Sequence, residues 1–186
     1  MRIAMTGNPN SGKTTMYNAL TGRSEHVGNW AGVTVDKKEH PVKKNYYEGE
    51  EELVAVDLPG AYSMSPFTSE ESITSSYVKN EHPDVIVNIV DANAKKDTKI
   101  DEKALSDKLG CPVIKTISTT GNGLREVMQA ATSVAGKGQK APYIQGNIDL
   151  TDKKEVEEAD RKRFSFVNEI VSKVEVRKTL TKEKSK

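Results

Sequence analysis

The chain has one cysteine, Cys111, in 186 residues. That excludes an internal disulfide framework and a cysteine-rich zinc site, and it suits a reducing compartment. The three histidines, His26, His40 and His82, are scattered among polar residues and make no metal-ligand spacing with Cys111. Surface positions are expected for all three. No apolar run approaches the roughly 18 residues of a membrane-spanning helix. The start, Met1-Arg2-Ile3-Ala4-Met5, lacks the apolar core of a signal peptide. Excess charge of one sign is missing as well: 28 Lys and Arg stand against 27 Asp and Glu, a net of +1. No global field then draws in nucleic acid, and none is expected as a partner. No internal repeat is present. These absences leave a soluble, intracellular globular protein, or the soluble part of something larger.

Hydrophobic residues make up 35% and charged residues 30%, enough for one domain and a small appendage. Short apolar runs at 3–5, 53–56, 85–90 and 112–117 read as strands, with a more exposed one at 33–37. The run Val85–Val90 is almost wholly apolar, as expected of a central parallel strand covered on both faces. Helical patterns fall at 14–20, 72–79, 102–109 (stopped by Gly110) and 124–135. Strands alternating with helices imply an α/β, doubly wound, mostly parallel sheet. Residues 1–135 are expected to form this domain. A Gly/Lys/Pro linker follows at 136–146. A short helical appendage is expected over 147–176, opened by the capping-box pattern Asp152-Lys153-Lys154-Glu155. Its stripe of Val156, Ala159, Val167, Ile170, Val171 and Val174 is expected to pack on the first domain. The tail 177–186 holds five basic residues and one acid.

Gly7-Asn8-Pro9-Asn10-Ser11-Gly12-Lys13-Thr14 is a full match to G-x-x-x-x-G-K-[ST], set between a predicted strand and a predicted helix. In such a loop the backbone amides of Gly7, Asn8, Asn10, Ser11 and Gly12 converge on a phosphate, and the helix N-terminus adds its dipole. Lys13 reaches the β and γ phosphates, and the Thr14 hydroxyl binds Mg²⁺. A second signal is Asp57-Leu58-Pro59-Gly60. A strand delivers Asp57 to the sheet edge beside the loop, where it holds Mg²⁺ through water, and the Gly60 N–H contacts the γ-phosphate. Thr34, in Gly32-Val33-Thr34, is placed to close onto Mg²⁺ when that phosphate is present.

Three stretches carry a family resemblance: Gly7–Thr15 (GNPNSGKTT), Val27–Val35 (VGNWAGVTV) and Asp57–Pro66 (DLPGAYSMSP). They resemble the N-terminal GTPase domain of the FeoB bacterial ferrous iron transporters, over roughly residues 1–135. The resemblance implies a P-loop NTPase fold that binds GTP and GDP with Mg²⁺ and hydrolyses GTP. It adds Thr15, Gly32, Val33 and Ser118 to the nucleotide contacts, and makes Asn10, Lys13, Thr34 and Gly60 the residues of catalysis. It also implies potassium stimulation, with Asn10, Gly28 and Trp30 as potassium ligands. Ala61 stands where Ras-like GTPases carry a water-positioning Gln, so a slow intrinsic rate is expected. The expected partner is the membrane-spanning part of the same transporter, at the cytoplasmic face of the bacterial inner membrane. Iron binding is not visible in these residues. A homo-oligomer is a further expectation.

The chain departs from that pattern in one place. A guanine-reading Asn-Lys-x-Asp or Asn-x-x-Asp should end a strand well beyond Asp91, and none is there. Asn88-Ile89-Val90-Asp91 fits literally, but Asn88 lies inside a predicted strand, so an ordinary strand segment is the reading adopted. A strand and a helix present in the family are missing after Asn93, which leaves backbone groups to be re-paired or covered. The 21 residues from Asp91 to Cys111 still suffice for a crossover, so a re-closed five-stranded sheet is one outcome. Two other functions stay open: a soluble regulatory GTPase of ribosome assembly or tRNA modification, and a nucleotide-binding module with weakened base specificity.

Overall fold

The computed structural model describes residues 1–22, 27–29, 36–62, 68–90, 98–149 and 151–177. The chain forms two units, each held mainly by its own internal packing. The first takes Met1–Asp91 and Ile114–Lys137, and the second takes Ala92–Val113 and Gly138–Lys186. Residues 92–113 therefore group with the C-terminal part, whereas the linear division at 135 keeps them with the first domain.

The first unit is built on a five-stranded sheet. Its strands are β1 (Arg2–Gly7), β2 (Val27–Asn29), β3 (Asp36–Pro41), β4 (Val54–Asp57) and β5 (Val85–Ile89), in the order β2-β3-β4-β1-β5. β1 runs parallel to β4 and β5, whereas β3 runs antiparallel to β2 and β4, so the sheet is mixed. Helices α1 (Lys13–Thr21), α2 (Ser69–Glu81) and α4 (Leu124–Val134) belong to this unit. Alternation along β1 explains the layering, because successive side chains point to opposite faces. Ile3 and Met5 join Met16, Leu20, Leu124 and Met128 in one core, whereas Ala4 joins Val56, Leu58 and Tyr77 in another. The α/β class expected from the alternation is the class the chain adopts.

Two expectations about the sheet are corrected. β5 is an edge strand among the described residues, not a central one. Val85, Val87 and Ile89 pack on the larger core, but Ile86 is 43% exposed and Val90 69%. Residues 112–117 form no strand; their pairing among the described residues is one isolated bridge, Ile117 to Asn122. The two corrections share a cause. A ladder needs a neighbour, and among the described residues neither segment has one beyond β1 and the single bridge.

In the second unit, α3 (Glu102–Leu109) ends where expected, at Gly110 with φ 67°, whose N–H donates to Ser106 O. β6 (Thr98–Ile100) pairs antiparallel with β7 (Glu175–Arg177). α5 (Lys153–Val174) is capped by Asp152, whose carboxylate accepts from the N–H groups of Lys154 and Glu155. Glu155 reaches back to the Asp149 N–H at 2.8 Å, a variant of the capping box. On the expected stripe Ala159 and Val174 are buried, but Val167 and Val171 are 46% and 42% exposed. No helix among the described residues is long and apolar enough to cross a membrane.

Candidate nucleotide site

The chain leaves β1 at Gly7 and turns sharply. A Cβ there would sit 2.4 Å from the Ile89 carbonyl oxygen and 2.8 Å from Ser11 Oγ, so glycine alone fits without a shift. The Ser11 N–H donates to Asn8 O at 3.1 Å, closing the curl. Asn10, with φ 64°, and Gly12, with φ 87°, are both left-handed. This is how a short loop turns its amides to one side. Gly12 is the N-cap of α1 and brings no side-chain cap. The first-turn N–H groups of α1 thus have no helical partner, and the helix dipole favours an anion in front of them.

A cleft of about 740 Å³ opens at this end of the helix. From the curl and α1 it is lined by Asn8, Asn10, Gly12, Lys13, Thr14 and Thr15, among others. From the stretch after β4 it is lined by Gly60 and Tyr62, and from α2 and its cap by Thr68, Glu70 and Glu71. Backbone ties hold the two sides in place. Leu58 N–H donates to Met5 O at 3.1 Å, Ala61 N–H to Gly7 O at 3.0 Å, and Thr74 Oγ1 to Pro59 O at 3.1 Å. Gly60 lies against Pro9: a Cβ would meet Pro9 Cα and Cγ at 3.2 Å.

Lys13 Nζ is ion-paired with the Asp57 carboxylate. Their side chains are 9% and 10% exposed, so the pair is almost dry. Ser11 Oγ is buried without a hydrogen-bond partner. Glu70 sits in the first turn of α2, its carboxyl held below the usual range by its own backbone N–H and by Ser69 Oγ.

The sequence-predicted residues Gly7, Asn8, Asn10, Ser11, Gly12, Lys13, Thr14, Thr15, Asp57 and Gly60 are thus brought together around one cleft. Ser118 is half-buried in the turn after Ile117 and is not among the residues lining it. Gly28 lies in β2 opposite Lys37. Trp30, Gly32, Val33 and Thr34 fall outside the described residues, as does His26. Tyr62, Glu70 and Glu71 were missed by sequence reasoning. Acids in a helix's first turn are ordinary complements of its dipole, so nothing local marked them. Of the histidines, His82 is exposed as expected, but His40 is buried, at 4% exposure.

The donors fit a magnesium-bound phosphate. Thr14 and Asp57 offer hard oxygen atoms, the kind Mg²⁺ takes. The uncapped helix end and Lys13 offer the positive charge that phosphate oxygens take. Among the described residues no group of three or more His, Cys, Asp or Glu is placed to hold a metal by itself.

Comparisons with known proteins agree with this geometry. Residues 1–96 match the family model for ferrous iron transport protein B. The Fe(2+) transporter FeoB of Escherichia coli K12 is 35% identical over 163 positions, covering 70% of this chain and 21% of the transporter. The FeoB of Salmonella typhimurium aligns to the same extent. The chain therefore spans about a fifth of the length of the curated relatives it matches. Seventy per cent of 186 residues is about 130, so about thirty of the 163 aligned positions have no counterpart here. Among solved structures, the G domain of the T. maritima FeoB iron transporter is 31% identical, with a TM-score of 0.63. That match covers 72% of this chain and 97% of the T. maritima chain. A GDP-bound mutant of the S. thermophilus FeoB G-domain is 27% identical with a TM-score of 0.73, covering 95% of this chain and all of that one.

Proposed function

The chain belongs to the ferrous iron transport protein B family, and on that footing we propose that it is a guanine-nucleotide switch: it binds and hydrolyses GTP to regulate ferrous iron passage through a membrane part found in the longer relatives. The observation that carries this reading is the uncapped N-terminus of α1, which opens with Lys13 into the same cleft as Gly60. The amides of the curl and Lys13 hold the β and γ phosphates. Thr14, Thr34 and Asp57 would hold Mg²⁺ with their oxygen atoms. Mg²⁺, when bound, offsets charge on the phosphate oxygens. Gly60 lines the same cleft, and its N–H would contact the γ-phosphate. Lys13 is shared: it is paired with Asp57 here, and phosphate oxygens compete for it.

Ala61 cannot orient the attacking water, so the intrinsic rate is slow. Asn10, with backbone carbonyls of Gly28 and Trp30, would hold a potassium ion that would supply the missing charge. An arginine in the equivalent role contributes about 10³–10⁵-fold in related enzymes. Asn10 supports this reading, because it lines the cleft from a left-handed turn of the curl. Potassium should then raise kcat above the rate in sodium, and Asn10→Ala should remove the difference.

One observation favours a second reading. The sequence lacks a guanine-reading box, β5 ends the sheet among the described residues, and Ser118 stands apart from the cleft lining. Discrimination between bases of about 10⁴-fold or more needs hydrogen bonds to the base edge. Without them the protein binds GTP and ATP alike. Calorimetry with GDP, GTP and ATP, each with Mg²⁺, tests both readings. A preference for guanine supports the switch, and equal affinities support the weakened module. No binding to any of the three would refute nucleotide binding itself.

A further inference from the structure

Asp57 lies between two lysines. Alternation puts it on the α1 side of the sheet. Along β4, Ala55 joins the core that holds Met16 and Leu20 of α1, and Asp57, two residues on, shares that face. From this side Lys13 of α1 holds its carboxylate. The second lysine comes from the neighbouring strand. β3 runs antiparallel to β4, with Lys38 directly opposite Asp57 and His40 opposite Ala55. Opposed residues of such a ladder share a face, with Cβ atoms about 4.5–5.5 Å apart. His40 shows which face it is. Its Nδ1 lies 2.5 Å from Oη of Tyr17, which is one helical turn beyond Lys13 on α1. Lys38 is half-buried beside this layer. Its flexible four-carbon stem is long enough to bring an ammonium to the carboxylate opposite.

The two lysines are not equivalent. Lys13 lines the phosphate cleft, and Lys38 is not among the lining residues. A phosphate that draws Lys13 away leaves behind a carboxylate that is only 10% exposed. A charge stranded out of water is strongly unfavourable. The field of Asp57 is felt in this layer: burial, followed by the charges of Asp57 and Glu39, pushes the Tyr17 hydroxyl well above its ordinary range. Two cations can meet the charge that Lys13 gives up. One is Mg²⁺ arriving with the phosphate, and the other is Lys38.

We propose that Lys38 is the reserve partner of Asp57: it takes over the carboxylate when a phosphate engages Lys13, and it thereby sets how far nucleotide binding depends on Mg²⁺. This rests on the nucleotide-binding reading above. Lys38 is a positioning residue, acting on the nucleotide through Asp57 and Lys13. With Mg²⁺ beside Asp57 the carboxylate is already satisfied, and Lys38 adds little. Without the metal, Lys38 is what lets Lys13 leave. Its contribution to affinity is therefore a coupling that the metal switches off.

The test is calorimetry of GDP on the full chain, once with Mg²⁺ and once with EDTA in its place. Lys38→Met keeps the stem and removes the charge. With Mg²⁺ the variant should bind GDP within about twofold of the wild type, and in EDTA about five- to tenfold more weakly. Lys38→Arg should restore the wild-type affinity in EDTA. In an Asp57→Asn background, Lys38→Met should change nothing in either buffer, since no charge is left to meet. Circular dichroism should show each variant folded. An equal loss with and without Mg²⁺ would overturn the proposal and make Lys38 a general attractor of phosphate. Unchanged affinity of Lys38→Met in EDTA would overturn it as well. So would wild-type binding that vanishes in EDTA, because Lys38 would then compensate nothing. A wild-type chain that binds GDP in neither buffer would overturn the nucleotide-binding reading along with it.

Discussion

The ammonium of Lys13 rests on the carboxylate of Asp57, and about nine-tenths of each side chain is out of water. Forty-four residues apart in the chain, they close the phosphate curl against the end of β4. A pair this dry gains little over two apolar groups, but losing one partner strands the other charge.

That asymmetry makes the first prediction. Lys13→Ala and Asp57→Ala should each lower the unfolding free energy of the nucleotide-free protein by about 3–5 kcal/mol. The double variant should lose clearly less than their sum, as expected of groups in contact. Urea unfolding of the four proteins reads this out. Additive losses would mean that the two charges are not paired.

The second prediction concerns alkaline pH. The folded state raises the Tyr17 hydroxyl, chiefly through burial, above its ordinary value of 10.0. Above that pH the unfolded chain has released this proton and the folded chain has kept it. Stability therefore falls as pH rises, and is fully present only below about pH 10. Melting temperatures taken between about pH 8 and 11 should drop from near pH 10 onward, and Tyr17→Phe should flatten part of the drop. Tyr77, raised mainly by burial, adds to the same slope. A curve equally steep in Tyr17→Phe would mean that the hydroxyl is not protected by the fold.

How much was legible in the sequence follows from how local each feature is. The phosphate curl is one contiguous run, Gly7 to Thr14, whose glycines and lysine act through their own backbone and first helical turn. Its place between β1 and α1 was readable from that run alone. So were α3 and its stop at Gly110, which depend on a few neighbouring residues. The burial of His40 was not, because its partner Tyr17 is 23 residues away and neither carries a local mark. The position of β5 was misread for a related reason. An all-apolar run announces burial, but whether a neighbouring strand covers it depends on a segment elsewhere in the chain. Here β5 pairs with β1 alone among the described residues. Glu70 and Glu71 went unnoticed because only the approach of α2 to the curl gives them a role.

The third prediction tests that edge. Ile86 is 43% exposed on β5, whereas Ile3, on the neighbouring β1, is fully buried. Ile86→Lys should change stability by less than about 1 kcal/mol. Ile3→Ala should cost about 2–5 kcal/mol. A loss of about 3 kcal/mol or more from Ile86→Lys would show β5 to be covered on both faces after all.

The most direct test of the central claim is triphosphate affinity in Lys13→Met, which keeps the aliphatic stem and removes the charge. Calorimetry with GMPPNP and Mg²⁺ should show binding to the wild-type chain and a loss of about a hundredfold in the variant, some 2.7 kcal/mol. Circular dichroism should show that the variant is folded at the temperature used. A folded variant with undiminished affinity would contradict the account, since the curl and its lysine would then not be what holds the nucleotide.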